Sequence, residues 1–314
     1  MKLSIVIVSY NTSKVLADCL NSIRDVVSSG YGEIIVVDNN SSDDTRTVLQ
    51  GRFPEVQLIA NNYNAGFGKA NNQGMKIAKG DYMLLLNSDT IASLDAVRKC
   101  VDYMEGRSDI GVLGCQLRTG DNKLQLSAGR FLRPIHAVSG GIEFNAFLKR
   151  IGIKSMHSFE HFFTAADLEN TLDVEWVAGA FMLTRRKVFD ETAGFDENIF
   201  LYGEEMEWCF RIKKLGWRII YFPLASITHI GKVSGRDLSD FKRHKLMLNG
   251  EIYFFKKHYG VIWAIIFKLC LSLGALIKIP LWGVVCLLRR GDQYYSNKYY
   301  FQLSILKWCF NRVK

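Results

Sequence analysis

Two apolar runs that each stop at an acidic turn constrain this chain more than any other feature. Glu33-Ile34-Ile35-Val36-Val37 ends at Asp38 and enters the polar turn Asn39-Asn40-Ser41-Ser42-Asp43. Tyr82-Met83-Leu84-Leu85-Leu86 ends at Asn87-Ser88-Asp89. Short continuous apolar runs between turns read as strands buried on both faces, the pattern of a parallel sheet. In an open α/β sheet, ligands bind outside the carboxyl ends of the strands. Both acidic turns are therefore expected on the functional edge, and oxygen ligands of this kind suit Mg2+ or Mn2+ beside a nucleotide.

The surrounding pattern alternates. A strand at Leu3–Ser9 precedes a helical stripe of Val15, Leu16, Cys19, Leu20 and Ile23. Asp43 or Asp44 can cap a helix running through Leu49. A strand at Val56–Ala60 leads to the loop Asn64–Asn71 and a helix to about Ala78, and a helix from Asp95 precedes a strand near Gly111–Leu117. Alternation of this sort predicts a largely parallel sheet with helices on both faces. Residues 119–173 are weakly patterned. Strands are expected again at Val177–Thr184 and Trp217–Phe222, with a helix starting near Arg185.

The chain has 314 residues, 48% of them apolar, which suffices for a full core. The opening Met1–Tyr10 reads as a core strand rather than a signal peptide. Seven scattered cysteines with no Cys-x-x-Cys pair read as reduced thiols. The net charge of +9 is concentrated: residues 256–314 hold ten Lys or Arg against the single acid Asp292, leaving 1–255 balanced. The same segment holds the apolar stretch Val261–Leu288, interrupted by Lys268, Lys278 and Pro280. Its charge-free runs are shorter than the roughly 20 residues of a spanning helix. Two amphipathic helices in the interface of an anionic membrane are expected, with an ordinary packing pair as the bland reading. The long aliphatic runs speak against nucleic acid as the partner. A domain of residues 1–255 is expected, divided at 118/119 into a nucleotide half and a second half (119–255), followed by a membrane-association region at 256–314.

Each candidate site residue carries two readings. Asp38 can accept the N3–H of a pyrimidine ring or cap its own turn. Asp89 can hold a metal together with diphosphate oxygens, or simply close a turn. Gly66 and Gly68 admit close backbone approach to a ligand, with Lys69 near a phosphate, or they form a tight turn into a helix. Glu204 and Glu205 provide a general base, or are ordinary first-turn acids of a helix. His229 ligates metal or phosphate, or is structural.

Taken together and in order, these segments resemble the family 2 glycosyltransferases of the GT-A nucleotide-sugar fold. The resemblance is carried by Ser4–Asn11, Val36–Asp43, Asn64–Gly74, Asn87–Asp89, Trp176–Met182, and Gly194–Glu197 with Tyr202–Cys209. It covers about residues 1–260, and the Asn64–Gly74 segment is similar to rhamnosyltransferases. The resemblance implies an α/β, Rossmann-like GT-A fold, to which the basic, apolar segment 256–314 adds C-terminal amphipathic, membrane-associated helices. It implies nucleotide contacts at Ser9, Asn11, Asp38, Asn40, Gly66, Lys69, Asn87 and Ser88. It further implies Mg2+ or Mn2+ at Asp89 with His229, and acceptor contacts at Trp176, Gly179 and Ala180, which makes 119–255 the acceptor half. Where the family usually reads Glu-Asp, this chain has Glu204-Glu205, so Glu205 stands at the base position with Glu204 as its rival. Where the metal motif often carries two acids, Asn87 stands at the first.

The implied reaction is inverting transfer of a sugar, dTDP-L-rhamnose being the expected donor, to a lipid-linked saccharide at the cytoplasmic face of a bacterial inner membrane. The rivals are a UDP-sugar transferase of the same fold and a non-catalytic saccharide-binding protein. The acids kept at Asp38, Asp89 and Glu205 speak against the second.

Overall fold

The computed structural model describes residues 1–142, 163–231, 239–289 and 292–310. Residues 143–162 of the weakly patterned stretch, and Lys232–Ser234 after His229, lie outside the described residues. Two compact units emerge: Met1–Phe131 with Phe162–Asp237, and Leu132–His161 with Leu238–Lys314.

The first unit is built on a ten-stranded sheet with a separate two-stranded ribbon. Its strands are β1 (Leu3–Ser9), β2 (Gly32–Asp38), β3 (Gln57–Ala60), β4 (Tyr82–Asn87), β5 (Thr90–Ile91), β6 (Ile110–Arg118), β7 (Leu124–Gln125), β8 (Ala128–Gly129), β9 (Leu172–Asp173), β10 (Trp176–Val177), β11 (Phe181–Arg185) and β12 (Arg218–His229). The spatial order is β3-β2-β1-β4-β11-β6-β12-β5, with β7 on β6 and β9 on β12, while β8 and β10 pair separately. The β3-β2-β1-β4 half is wholly parallel. Every residue of β2 is buried, as its unbroken apolar run requires. One layer of the core joins Ile5, Ile7, Val36, Leu84 and Leu86 to Leu16, Leu20 and Ile23 of helix Ser13–Ile23 and to Val97, Cys100 and Met104 of helix Leu94–Glu105.

Three features depart from the sequence expectation. The strand expected at Val177–Thr184 breaks into β10 and β11, so that Ala178, Gly179 and Ala180 form a corner. β11 runs antiparallel to both β4 and β6, which makes the sheet mixed at its centre. β12 continues past the expected Phe222 to His229, with its register shifting between Phe222 and Ser226. Pro223 lies at that irregularity, where a residue without an N–H can be carried in a strand.

The second unit is helical: Pro134–Ile142, Asp240–His258, Val261–Leu288 and Gln293–Phe310. The expected boundary at 255/256 falls inside helix Asp240–His258, where Phe254 and Phe255 are both buried. In place of two interfacial helices, Val261–Leu288 is a single helix of 28 residues with Pro280 inside it. A proline removes one helical hydrogen bond and kinks the axis, but a long helix can absorb it. The helix is long and apolar enough to cross a membrane.

Candidate active site

The parallel register sets the nucleotide-side edge. Ser9 stands opposite Asp38, and Val8 opposite Asn87, so β1, β2 and β4 end at one level. Polar groups at this edge satisfy one another. Ser9 Oγ and Thr12 Oγ1 are 2.9 Å apart, and Thr12 Oγ1 donates to Ser88 Oγ at 3.1 Å. Asn11, at φ +53°, accepts from Ser42 N at 2.7 Å, while its own N–H donates to Ser41 Oγ at 2.9 Å. Asp43 caps the following turn at Thr45 and also accepts from Ser13 N, ties that hold its carboxyl below the usual range.

Asp38 is completely buried. Its Oδ1 accepts from Ser41 N at 3.1 Å and its Oδ2 from Arg46 Nε at 2.5 Å. The turn-capping reading is thus realised, and Arg46 is an ion-pair partner that the sequence did not single out. Asn40 is exposed, at φ +67°. Its neighbour Asn39 is buried and organises the next loop: Nδ2 donates to Asn64 Oδ1 and Gly66 O, and Oδ1 accepts from Ala65 N.

Gly66 adopts φ +84°, and a Cβ there would lie 2.4 Å from the Phe200 carbonyl oxygen. A Cβ on Gly68 would meet Phe195. The close approach of this loop is therefore to the chain's own Phe195–Phe200 segment, which Asn72 also grips through both the N–H and the carbonyl of Phe195. Lys69 is part-exposed, with Nζ 3.5 Å from Glu197. A hydrogen bond to Tyr63 and the Glu197 carboxylate raise its pKa.

A second cluster forms where β5 pairs with β12. His229 stands opposite Thr90, which brings a residue 140 positions away beside Asp89. Asp89 Oδ1 is 3.3 Å from His229 Nε2, and both side chains are nearly buried. Asn87 Nδ2 lies 3.3 Å from the same Nε2, and Gln125 Oε1 is 3.0 Å from Nδ1. With Gln125 accepting from Nδ1–H, Nε2 is left as an acceptor shared between the Asn87 amide and the Asp89 side, and a proton or a cation between Nε2 and the carboxylate oxygen would satisfy both. Asp89 and His229 could together hold a divalent ion as a two-residue set, leaving its other positions to diphosphate oxygens and water. Among the described residues there is no larger group of His, Cys, Asp or Glu that could hold a metal.

The third cluster lies at the start of helix Glu204–Lys214, after Tyr202 and Gly203, both at positive φ. Of its three acids, Glu207 is structural: it is buried, paired with Arg211, and Arg211 also donates to the Thr192 and Gly194 carbonyls. Glu205 Oε1 accepts from Gly179 N at 3.2 Å. A Cβ on Gly179 would lie 2.9 Å from that oxygen and 3.0 Å from the Phe67 ring, so a side chain there would push the carboxylate from this seat. Burial raises the Glu205 pKa. Glu204 is 1% exposed, and its Oε2 has no hydrogen-bond partner. Burial first, and then the Glu205 charge, push its pKa well up. Perturbed carboxyls beside a glycine corner make this helix start a candidate functional site.

The Glycosyl transferase family 2 model matches residues 4–192, more than half of the chain. The chain belongs to this family. It is 27% identical over 245 residues to the N-acetylglucosaminyl-diphospho-decaprenol L-rhamnosyltransferase of Mycobacterium tuberculosis, covering 72% of this chain and 75% of that protein. It is 25% identical to the rhamnosyltransferase WbbL of Escherichia coli K12, covering 72% and 82%. The fold is shared with the mannosyltransferase PcManGT of Pyrobaculum calidifontis, solved with GDP-Man and Mn2+, at TM-score 0.55 and 15% identity, covering 98% of this chain and 85% of that one. The GT-A-like fold expected from the sequence is therefore present.

In this family 2 glycosyltransferase the corner at Ala178–Ala180 joins two of the clusters. Gly179 seats Glu205, and the Ala180 carbonyl accepts from Asn87 N at 3.2 Å. Trp176 is half-buried in β10, its Nε1 donating to the Arg130 carbonyl. Asn39, Asn72, Gln125 and Arg46 act through other residues, and only the polar richness of their segments hinted at them.

Proposed function

We propose that this glycosyltransferase moves L-rhamnose from dTDP-L-rhamnose to a hydroxyl of a lipid-linked saccharide, with inversion at the anomeric carbon, in bacterial cell-surface polysaccharide synthesis. The observation that carries the reading is the seat of Glu205: a carboxylate at a helix N-terminus, fixed by Gly179 N and raised in pKa by burial. A base needs to be ionised and within reach of the acceptor proton, and a raised pKa strengthens it as a proton acceptor at neutral pH. Glu205 takes the hydroxyl proton as the acceptor oxygen attacks the anomeric carbon from the face opposite the leaving diphosphate. Trp176, Gly179 and Ala180 line the acceptor approach.

Asp38 shapes the base subsite from inside its turn, by holding Ser41 N and Arg46 in place. Ser9, Asn11, Asn40, Asn87 and Ser88 bound the nucleotide, with Gly66 and Lys69 on the adjoining loop. Asp89 and His229 would hold Mg2+ or Mn2+, which stabilises charge on a departing diphosphate. Support for rhamnose comes from two relatives that are rhamnosyltransferases. Support for a membrane-bound acceptor comes from the decaprenol-linked substrate in the name of one of them, and from the basic, apolar segment 256–314. That segment holds the enzyme peripherally at the cytoplasmic face of the inner membrane.

The test is nucleoside diphosphate release from a panel of dTDP- and UDP-sugars with Mn2+ or Mg2+. Release from dTDP-rhamnose alone is expected. Release from a UDP-sugar discards the sugar and keeps the mechanism. Tight donor binding without release, even with lipid-linked acceptors supplied, points to a binding protein.

A further inference from the structure

We infer that helix Val261–Leu288 lies in the plane of the membrane, immersing one aliphatic face in a single leaflet of an anionic bilayer, and does not span it. This deepens the membrane contact proposed above. It does not depend on the donor chemistry.

The argument rests on which residues the helix exposes. Every well-exposed position from Val261 to Leu288 is Val, Ile, Leu or Pro, among them Ile262, Leu269, Leu276, Leu281 and Leu288. Lys268 and Lys278 both sit on part-buried flanks instead. The spacing of the exposed residues follows the helical repeat, so they form one continuous stripe about 40 Å long. The other side is covered by helices of the same unit: Ala264, Phe267, Gly274 and Ala275 are buried, and helices Pro134–Ile142, Asp240–His258 and Gln293–Phe310 all pack on it.

Those neighbours present a different surface. Helix Asp240–His258 exposes Lys242, Lys245, Lys256 and Lys257 beside a single apolar Met247, and helix Gln293–Phe310 mixes Asn297, Lys298 and Lys307 with the aromatic rings of Tyr294, Tyr300 and Phe310. The last helix runs antiparallel to the apolar one. Tyr299 lies against Gly283, and Lys268 Nζ sits 5.2 Å from the centre of the Trp308 ring. A spanning helix places about 20 residues in hydrocarbon. Centred on this helix, that window would enclose Lys268 and Lys278 and carry Lys307 in beside Trp308. Charges at such depth are strongly disfavoured. Lying flat, the same helix puts only its stripe among acyl chains and leaves the flanking lysines at headgroup level, where they complement anionic lipid. Trp282, Tyr294 and Tyr295 cluster near the turn between the two helices, with ring centroids 5.2–6.2 Å apart, as suits aromatic residues at a membrane interface.

The full chain, with Cys270→Ser and Cys286→Ser, would carry one spin label at a time at Ile265→Cys, Leu276→Cys and Leu287→Cys. It would be bound to vesicles of phosphatidylcholine and phosphatidylglycerol. Relative accessibility to oxygen and to a nickel chelate reports depth. Equal immersion at the three sites is expected, and L269E with L276E should weaken vesicle co-sedimentation at least tenfold while circular dichroism stays unchanged. A label at Leu276 much deeper than those at either end would establish spanning and overturn the inference. So would three labels that never immerse, with a dimer in sedimentation velocity that the double variant dissociates. Donor turnover can fail in every one of these cases without bearing on the depth profile.

Discussion

Asp38 and Glu204 are both carboxylates hidden from solvent, 0% and 1% exposed, yet their surroundings are opposite. Asp38 has a partner for each oxygen, a backbone N–H and a guanidinium. Glu204 leaves Oε2 with none, beside the part-buried Glu205 carboxyl. A buried polar group left unsatisfied costs about 1–3 kcal/mol. Burial alone therefore does not separate scaffold from chemistry in this fold, whereas the partner inventory does. The nucleotide-side edge is a closed hydrogen-bonded lattice of Ser9, Asn11, Thr12, Asp38 and Ser88. Beyond this lattice the inventory is less complete: Asp89 Oδ1 lies 3.3 Å from His229 Nε2, and Glu204 Oε2 has no partner.

The comparison breaks most visibly at Glu205. Glu205→Gln keeps the size of the side chain and removes the base, so transfer should fall by roughly 10²–10⁴-fold, the usual contribution of a general base. Product formation by the purified variant, beside its thermal melt, checks this. A variant that melts normally and still turns over at the wild-type rate would return the role to Glu204. Asp38→Ala should do the reverse, with its main effect on the fold. Two hydrogen bonds at a buried site disappear, one of them to a charged donor, and stability should drop by about 2 kcal/mol in urea unfolding. Arg46 is half-exposed and is not left stranded, which keeps the loss below that of a fully buried pair.

The sequence disclosed the first edge and only part of the second. Apolar runs ending at Asp38 and Asn87 were enough to place both on one rim, because parallel strands align their ends. The antiparallel entry of β11 was not legible, since a five-residue apolar strand reads the same in either direction. Nor was the corner at Gly179, where one atom of clearance admits Glu205. His229 looked like a residue in a loop after a short strand. It reaches Asp89 only because β12 continues beyond Pro223 to pair with β5, a long-range pairing that no local pattern encodes. Gly66 and Gly68 were legible as points of close approach, but what they approach is set by the tertiary position of Phe195 and Phe200.

Gln125 offers a finer test of the open edge. Its Oε1 fixes the His229 ring through Nδ1, and outer partners of metal-ligating histidines commonly account for 10–100-fold in affinity or activity. Gln125→Leu should weaken Mn2+ binding by about tenfold, with little change in melting temperature. Isothermal titration with the metal alone, in the presence of nucleoside diphosphate, reads this without any activity. Unchanged affinity would mean that Asp89 holds the ion without the imidazole.

The smallest effect should be the most discriminating. Glu204 has a folded-state pKa raised by burial and by the Glu205 charge. A raised carboxyl pKa means that the folded protein favours the protonated form. Its stabilisation is therefore complete below the ordinary carboxylate range and is lost as pH rises through the folded value. Glu204→Gln mimics the neutral form at every pH, so its melting temperature should match the wild type near pH 4 and exceed it near pH 8. The rate profile should respond differently. Glu205 is anchored to Gly179 N while Glu204 has an orphan oxygen, so Glu205 ionises first and Glu204 is still neutral when it does. The acid limb of kcat/KM should then stay where it is in Glu204→Gln. An acid limb displaced to lower pH would show that Glu204 already carries charge in the resting enzyme, and the assignment of base and neighbour would be reversed.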